Sequence, residues 1–273
     1  MEANLQRRVQ RYGWDKAATY YEEFWHKQLA PAQDRLLELA ALQPGERVLD
    51  VACGTGLVTF PAAAAVSPGG EVVGTDISQS MIDLVRQIAA ERGVANASFD
   101  RMDAEDLGAL PDASFDVVLT ALGLMYVPDV LQALKEQYRV LKRGGRAVAV
   151  VWGQRDRCGW AEIFPITDAR VQSEVCPMFF QLGNKDTLAL TMEMAGLAEI
   201  AVERLSVTLR YESGEELLGA MFQGGPVALA YSRFDEATRD AVHAEFLASV
   251  AASRTGETYG IPGEFVVAVG YKR

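Results

Sequence analysis

The stretch Glu46-Arg-Val-Leu-Asp-Val-Ala-Cys-Gly-Thr-Gly56 leaves this chain few folds to choose from. It opens as a short apolar run (Val48, Leu49, Val51) of strand type, introduced by the turn signal Pro44-Gly45. It then breaks into Gly54-Thr-Gly56, and a small apolar, helix-compatible segment, Leu57 to Val66, follows. Strand, glycine turn and helix form the first half of a βαβ nucleotide-binding unit, in which a backbone without Cβ atoms lets a ligand approach closely. Asp76 ends the next apolar run, Val72 to Asp76, where a carboxylate can accept the hydroxyls of a ribose.

The dinucleotide fingerprint asks for a third glycine three residues after Gly56, and Thr59 stands there. Asp50 ends the first strand and would repel a diphosphate, whereas it would attract an amino group or a sulfonium. Asp103 follows a third strand, Ala97 to Met102. Three carboxylates after three successive strands suit a cationic adenosine ligand, S-adenosylmethionine.

The stretch Asp50-Val-Ala-Cys-Gly-Thr-Gly56 resembles the first motif of the class I S-adenosylmethionine-dependent methyltransferases, in the ubiquinone/menaquinone C-methyltransferase-like group. The resemblance runs over residues 12 to 153. It continues through Gly74-Thr-Asp-Ile-Ser78 with Met81, Met102-Asp-Ala-Glu105, Ser114 to Thr120 and Arg139 to Gly145. Ala52 departs from it, since the family more often has glycine there. The resemblance implies a Rossmann-like α/β fold, doubly wound around a mostly parallel seven-stranded sheet with an antiparallel last strand. It also implies an N-terminal helical lid and cofactor contacts from Tyr21, Asp50, Ala52, Gly54, Gly56, Asp76, Ile77, Met81, Asp103, Ala104 and Thr120. Asp103 would meet the adenine amino group.

Residues 12 to 42 read as helical, with Pro31 starting a new segment, and Trp14, Tyr21 and Trp25 fall on one face. As a lid this helix would offer Tyr20 and Trp25 to the acceptor, and His26 as a base. After the fourth strand, Tyr126 could orient an acceptor and Met125 wall the pocket. Related enzymes often carry a histidine pair at Met125-Tyr126. Trp152 closes the fifth strand and is a further candidate for the acceptor side. Ala198 to Tyr211 alternates apolar and polar residues and reads as an antiparallel strand, as does Glu264 to Tyr271. The domain expectation is a lid over 1–43, a Rossmann-like domain over 44–211 plus 263–273, and a helical insertion over 212–262 that caps the substrate.

Twenty-six basic against 37 acidic residues give a net charge of −11, which disfavours nucleic-acid acceptors. No apolar run reaches the ~20 residues of a membrane span, and the N-terminus has no apolar signal segment. Three cysteines without CxxC spacing indicate neither a disulfide framework nor a zinc site. Methyl transfer from a sulfonium requires no metal, so none is expected. The expectation is a cytoplasmic enzyme, monomer or homodimer, that methylates a small molecule. Its rivals are a noncatalytic S-adenosylmethionine-binding protein and a nicotinamide-dependent oxidoreductase.

Overall fold

The computed structural model describes residues 3–171, 176 and 178–273. The helical expectation over residues 158 to 196 therefore lies partly outside the described residues. The elements run α1 (Ala3–Ala40), β1 (Arg47–Val51), α2 (Thr59–Ala65), β2 (Glu71–Asp76), α3 (Gln79–Arg92), β3 (Ala97–Arg101), β4 (Phe115–Ala121), α4 (Val130–Val140), β5 (Leu141–Trp152) and α5 (Ile163–Asp168). Then come α6 (Thr187–Met194), β6 (Ala198–Tyr211), α7 (Gly214–Leu218), α8 (Ala228–Tyr231), α9 (Glu236–Ser249), β7 (Arg254–Thr255) and β8 (Thr258–Tyr271).

One sheet of eight strands carries the fold, in the order β3-β2-β1-β4-β5-β8-β6, with the two-residue β7 paired to β8. The first five strands pair in parallel. β8 runs antiparallel to both β5 and β6. The Ala198–Tyr211 strand is thus antiparallel to its neighbour but runs in the same sense as the parallel set. Alternation reports that one face is buried and says nothing of direction.

Strands β1, β4 and β5 lie in the middle of the sheet, and their Val, Leu and Ala runs are almost wholly buried. That is what a strand covered on both faces requires. The chain winds from β1 outward to β3, then returns to the other side of β1 as β4. The tips of β1 and β4 therefore flank a topological switch point, the place where open α/β sheets bind ligands.

Two local devices shape that crevice. The Ser78 side chain accepts from the Met81 amide at 3.1 Å and caps α3, which ends at Gly93 in the left-handed conformation. Gly56 has φ +89°, and a Cβ there would lie 2.5 Å from the Phe60 ring and 2.9 Å from Val85. Replacing Gly56 with valine should lower stability by about 4 kcal/mol through overpacking and backbone strain. A thermal melt should show Tm falling by about 10 °C; an unchanged melt would contradict this packing.

The N-terminal helix is one continuous element, longer than expected at its start and unbroken at Pro31. Pro31 leaves the Lys27 carbonyl without a helical donor, and Lys27 is exposed, so water can take that acceptor. The helix is fastened across the sheet's ligand end. Asp15 accepts from the Ser78 hydroxyl at 2.6 Å and the Ser80 amide at 3.2 Å, a carboxylate at a helix N-terminus.

Candidate active site

The tips of β1, β2 and β4 surround a cleft. Its floor is backbone in unusual conformation: Ala52 has φ +60° and Leu122 φ +59°, both in the left-handed region that L residues with a Cβ seldom occupy. Gly54 is left-handed as well, φ +53°. Asp76 ties this loop to α3. One carboxylate oxygen accepts from the Gly54 amide at 3.0 Å and the other from the Ser78 amide at 2.9 Å. Each oxygen retains a lone pair for a further donor.

Asp50 lies one layer beneath. Its Oδ2 accepts from the Thr59 hydroxyl at 2.6 Å, so the residue standing where a dinucleotide site has glycine here positions a carboxylate. Its Oδ1 is buried and has no partner. Burial pushes Asp50 up to about 7, with Thr59 opposing and Asp76 adding to the shift. Burial likewise pushes Asp76 up to about 6 against the pull of its backbone donors. A buried acceptor without a donor, beside a second carboxylate raised by burial, fits a ligand that brings N–H groups and positive charge. Asp103 is more open. It accepts from the Glu105 amide at 3.0 Å and meets Arg7 at 3.3 Å, so its charge is partly answered from within the protein.

Of the sequence-derived cofactor residues, Tyr21, Ala52, Gly54, Asp76, Ile77, Met81, Asp103 and Ala104 line the cleft. Tyr126, taken as an acceptor orienter, lines it too. Asp50 and Gly56 sit behind the wall. Thr120 departs from expectation: it is buried and accepts from Gln137 Nε2 at 3.0 Å, bracing β4 against α4.

A second cavity opens beyond the first and shares Trp14, Tyr21, Leu122 and Tyr126 with it. Trp25 and Trp152 line this chamber. Three other expectations are corrected. His26 is exposed and lines neither cavity, because successive helical residues point about 100° apart and its neighbour Trp25 takes the inner face. Tyr20 is 42% exposed and stacks on Phe24 outside the chamber. Met125 is buried but faces a separate pocket beside Leu182, since in the short turn Leu124–Tyr126 only Tyr126 points to the shared wall.

Sequence reasoning missed Arg7 and Gln10 in the cleft and Trp160 in the chamber, which Phe179, Met221 and Pro226 also line. One signal was available for the first pair. The inward stripe Arg7, Gln10, Trp14, Tyr21, Trp25, Leu29 keeps helical spacing back into the polar start of α1.

A methyltransferase-domain family model matches residues 48–145. The nocamycin O-methyltransferase of Saccharothrix syringae is 30% identical over 257 residues, 89% of this chain and 91% of that one. This chain belongs to the S-adenosylmethionine-dependent methyltransferases. A demethylmenaquinone methyltransferase of Listeria monocytogenes is 35% identical over 168 residues, 60% of this chain and 70% of that one. Aklanonic acid methyltransferase DauC of a Streptomyces species is 38% identical over 133 residues, 49% of this chain; the match covers only 60% of that relative's length. Among solved structures, the YcgJ protein of Bacillus subtilis has the same fold, with TM-score 0.60 and 20% identity over 89% of this chain and 99% of that one.

S-adenosylmethionine is accordingly the cofactor, and the nicotinamide reading is set aside. The residues of this methyltransferase fit that cofactor on their own geometry, with a clamped Asp76, an unpartnered Asp50 oxygen and a glycine loop between them. The acceptor of such relatives is a small molecule. No helix among the described residues is long and apolar enough to cross a membrane.

Proposed function

We propose that the protein methylates an acidic hydroxyl, an enol or a phenol, on an apolar ring system held in the aromatic chamber. One observation carries this reading: among the described residues lining the chamber there is no carboxylate, imidazole or amine. The hydroxyls of Tyr21 and Tyr126 are the ionisable groups there, and burial raises both well above the ordinary phenol value. They stay protonated and donate; neither removes a proton. The acceptor must therefore bring its own ionised oxygen. The relative named for nocamycin O-methylation supports methylation on oxygen.

The bound cofactor supplies a methyl group on a sulfonium and leaves as a neutral thioether. The chain's own residues align and dehydrate. Trp14, Tyr21 and Tyr126 form the shared wall, with Trp14 edge-on to both tyrosines at centroid distances of 5.6 and 5.1 Å. Holding the acceptor oxygen in line behind that wall supplies the largest share of the rate. Asp76 holds the cofactor's ribose end, Asp50 behind the wall adds negative charge beneath its cationic end, and Asp103 with the Ala104 backbone faces the adenine. The turn Gly219–Gln223 and the segment after it supply Met221, Gly225 and Pro226 to the chamber, which supports a capping role for the 212–262 insertion. A cytoplasmic enzyme, monomer or homodimer, without a nucleic-acid substrate completes the proposal.

The test is methyl transfer from labelled cofactor to a series of phenols and enols of graded acidity. The pH of half-maximal rate should follow each acceptor's own ionisation, and His26→Ala should leave rates within about twofold. One profile shared by all acceptors would reveal a base in the protein and contradict the reading.

A further inference from the structure

Trp160 presents an anomaly that the methyl-transfer reading does not use. It follows Gly159 in the turn after β5 and is 1% exposed. Its ring packs edge-on to Trp152 at 4.8 Å and to Phe179 at 5.5 Å, and it forms part of the chamber wall with both. Its indole nitrogen has no hydrogen-bond partner. By contrast, Trp25 on the same chamber donates to the Ala220 carbonyl at 3.2 Å. Among the described residues, Trp160 is the one tryptophan whose Nε1–H is both fully buried and unpartnered.

A buried N–H without an acceptor costs stability, and a phenylalanine would fill an aromatic wall without that cost. An indole that lines a binding cavity and lacks an acceptor from its own chain is matched by a ligand that brings one. Resting on the aromatic-acceptor reading above, we propose that Trp160 Nε1 donates to a second oxygen of the acceptor, one that is not methylated. The acceptor class narrows accordingly to ring systems carrying two oxygens, as in hydroxyquinones and keto-phenols. A bare phenol lacks the second oxygen. The indole holds the ring in register while the other oxygen lies toward the wall shared with the cofactor cleft. Donor geometry sets the demand: an indole N–H donates and never accepts, so the recognised group is a carbonyl, ether or phenolate oxygen and not an ammonium.

The experiment uses the full chain saturated with S-adenosylhomocysteine. Binding of a methylnaphthoquinone is compared with that of methylnaphthalene, the same ring without oxygens. The wild type should prefer the quinone by about tenfold or more. Trp160→Phe should lose that preference, bind methylnaphthalene as before, keep its affinity for S-adenosylhomocysteine and melt no lower than the wild type. A second readout requires no substitution at this position. In spectra of the nitrogen-labelled wild type, one of the four tryptophan indole signals should move downfield with the quinone and stay put with the hydrocarbon. If Trp160→Phe retained the full quinone preference, or no indole signal moved, Trp160 would be a packing residue and the inference would fall alone. If the wild type bound neither ring, the aromatic-acceptor reading would fall with it.

Discussion

Replacing Asp76 with alanine should weaken S-adenosylmethionine binding by roughly 100-fold, about 3 kcal/mol, as measured by titration calorimetry. The carboxylate accepts from the Gly54 and Ser78 amides, so it shapes the glycine loop and the start of α3 as well as lining the cleft. Alanine leaves two backbone donors at the cleft wall without their acceptor and removes the acceptor expected for the ribose. The two losses act in the same direction. Asparagine keeps one acceptor oxygen and should recover part of the binding. Wild-type affinity in the alanine variant would show that the clamp neither orders the loop nor meets the cofactor.

Met221→Trp should reduce methyl transfer by 100-fold or more while leaving S-adenosylhomocysteine affinity within about twofold. Met221 is buried on the turn Gly219–Gln223 and lines only the aromatic chamber, not the cofactor cleft. An indole at that place occupies space the acceptor requires, and the flexible methionine it replaces leaves neighbours able to adjust at a cost of about 1–3 kcal/mol. The split between the two readouts matters most. A variant that lost both activities would have distorted the shared wall, and one that kept both would place the acceptor elsewhere.

Much of the frame was legible because it rests on local chemistry. Ser78 as cap, Gly93 as stop and the apolar spacing between them give α3 with its observed bounds. The glycine turn after Val51 and the position of Asp76 follow from the backbone demands of a βαβ unit. The long-range parts were not legible. Trp160, Phe179 and Met221 meet around one chamber from distant parts of the chain, a meeting that no local pattern specifies. The start of α1 is polar, Asn4 to Arg11 apart from Leu5 and Val9, so its inward Arg7 and Gln10 resemble a solvated face. His26 and Trp25 are adjacent in sequence, and only the helix's rotation against the sheet decides which of them faces the chamber. Thr59 was noticed as a missing glycine; its hydroxyl bond to Asp50 gives that departure its reason.

The buried carboxylates of the free protein await a cation. Their folded values, about 7 for Asp50 and about 6 for Asp76, lie above the ordinary carboxylate value of 3.8. The folded state then holds more protons than the unfolded one between pH 4 and 7. Free-protein stability should fall as pH rises through that window and level off above it. A cationic ligand favours the ionised forms, so its binding should expel protons within the same window. The decisive measurement is titration calorimetry of S-adenosylmethionine and of neutral-thioether S-adenosylhomocysteine between pH 5.5 and 8, in buffers of different ionisation enthalpy. Affinity for the sulfonium should rise with pH relative to the thioether, with more protons released on its binding. Parallel pH dependences and equal proton release for the two ligands would contradict the account.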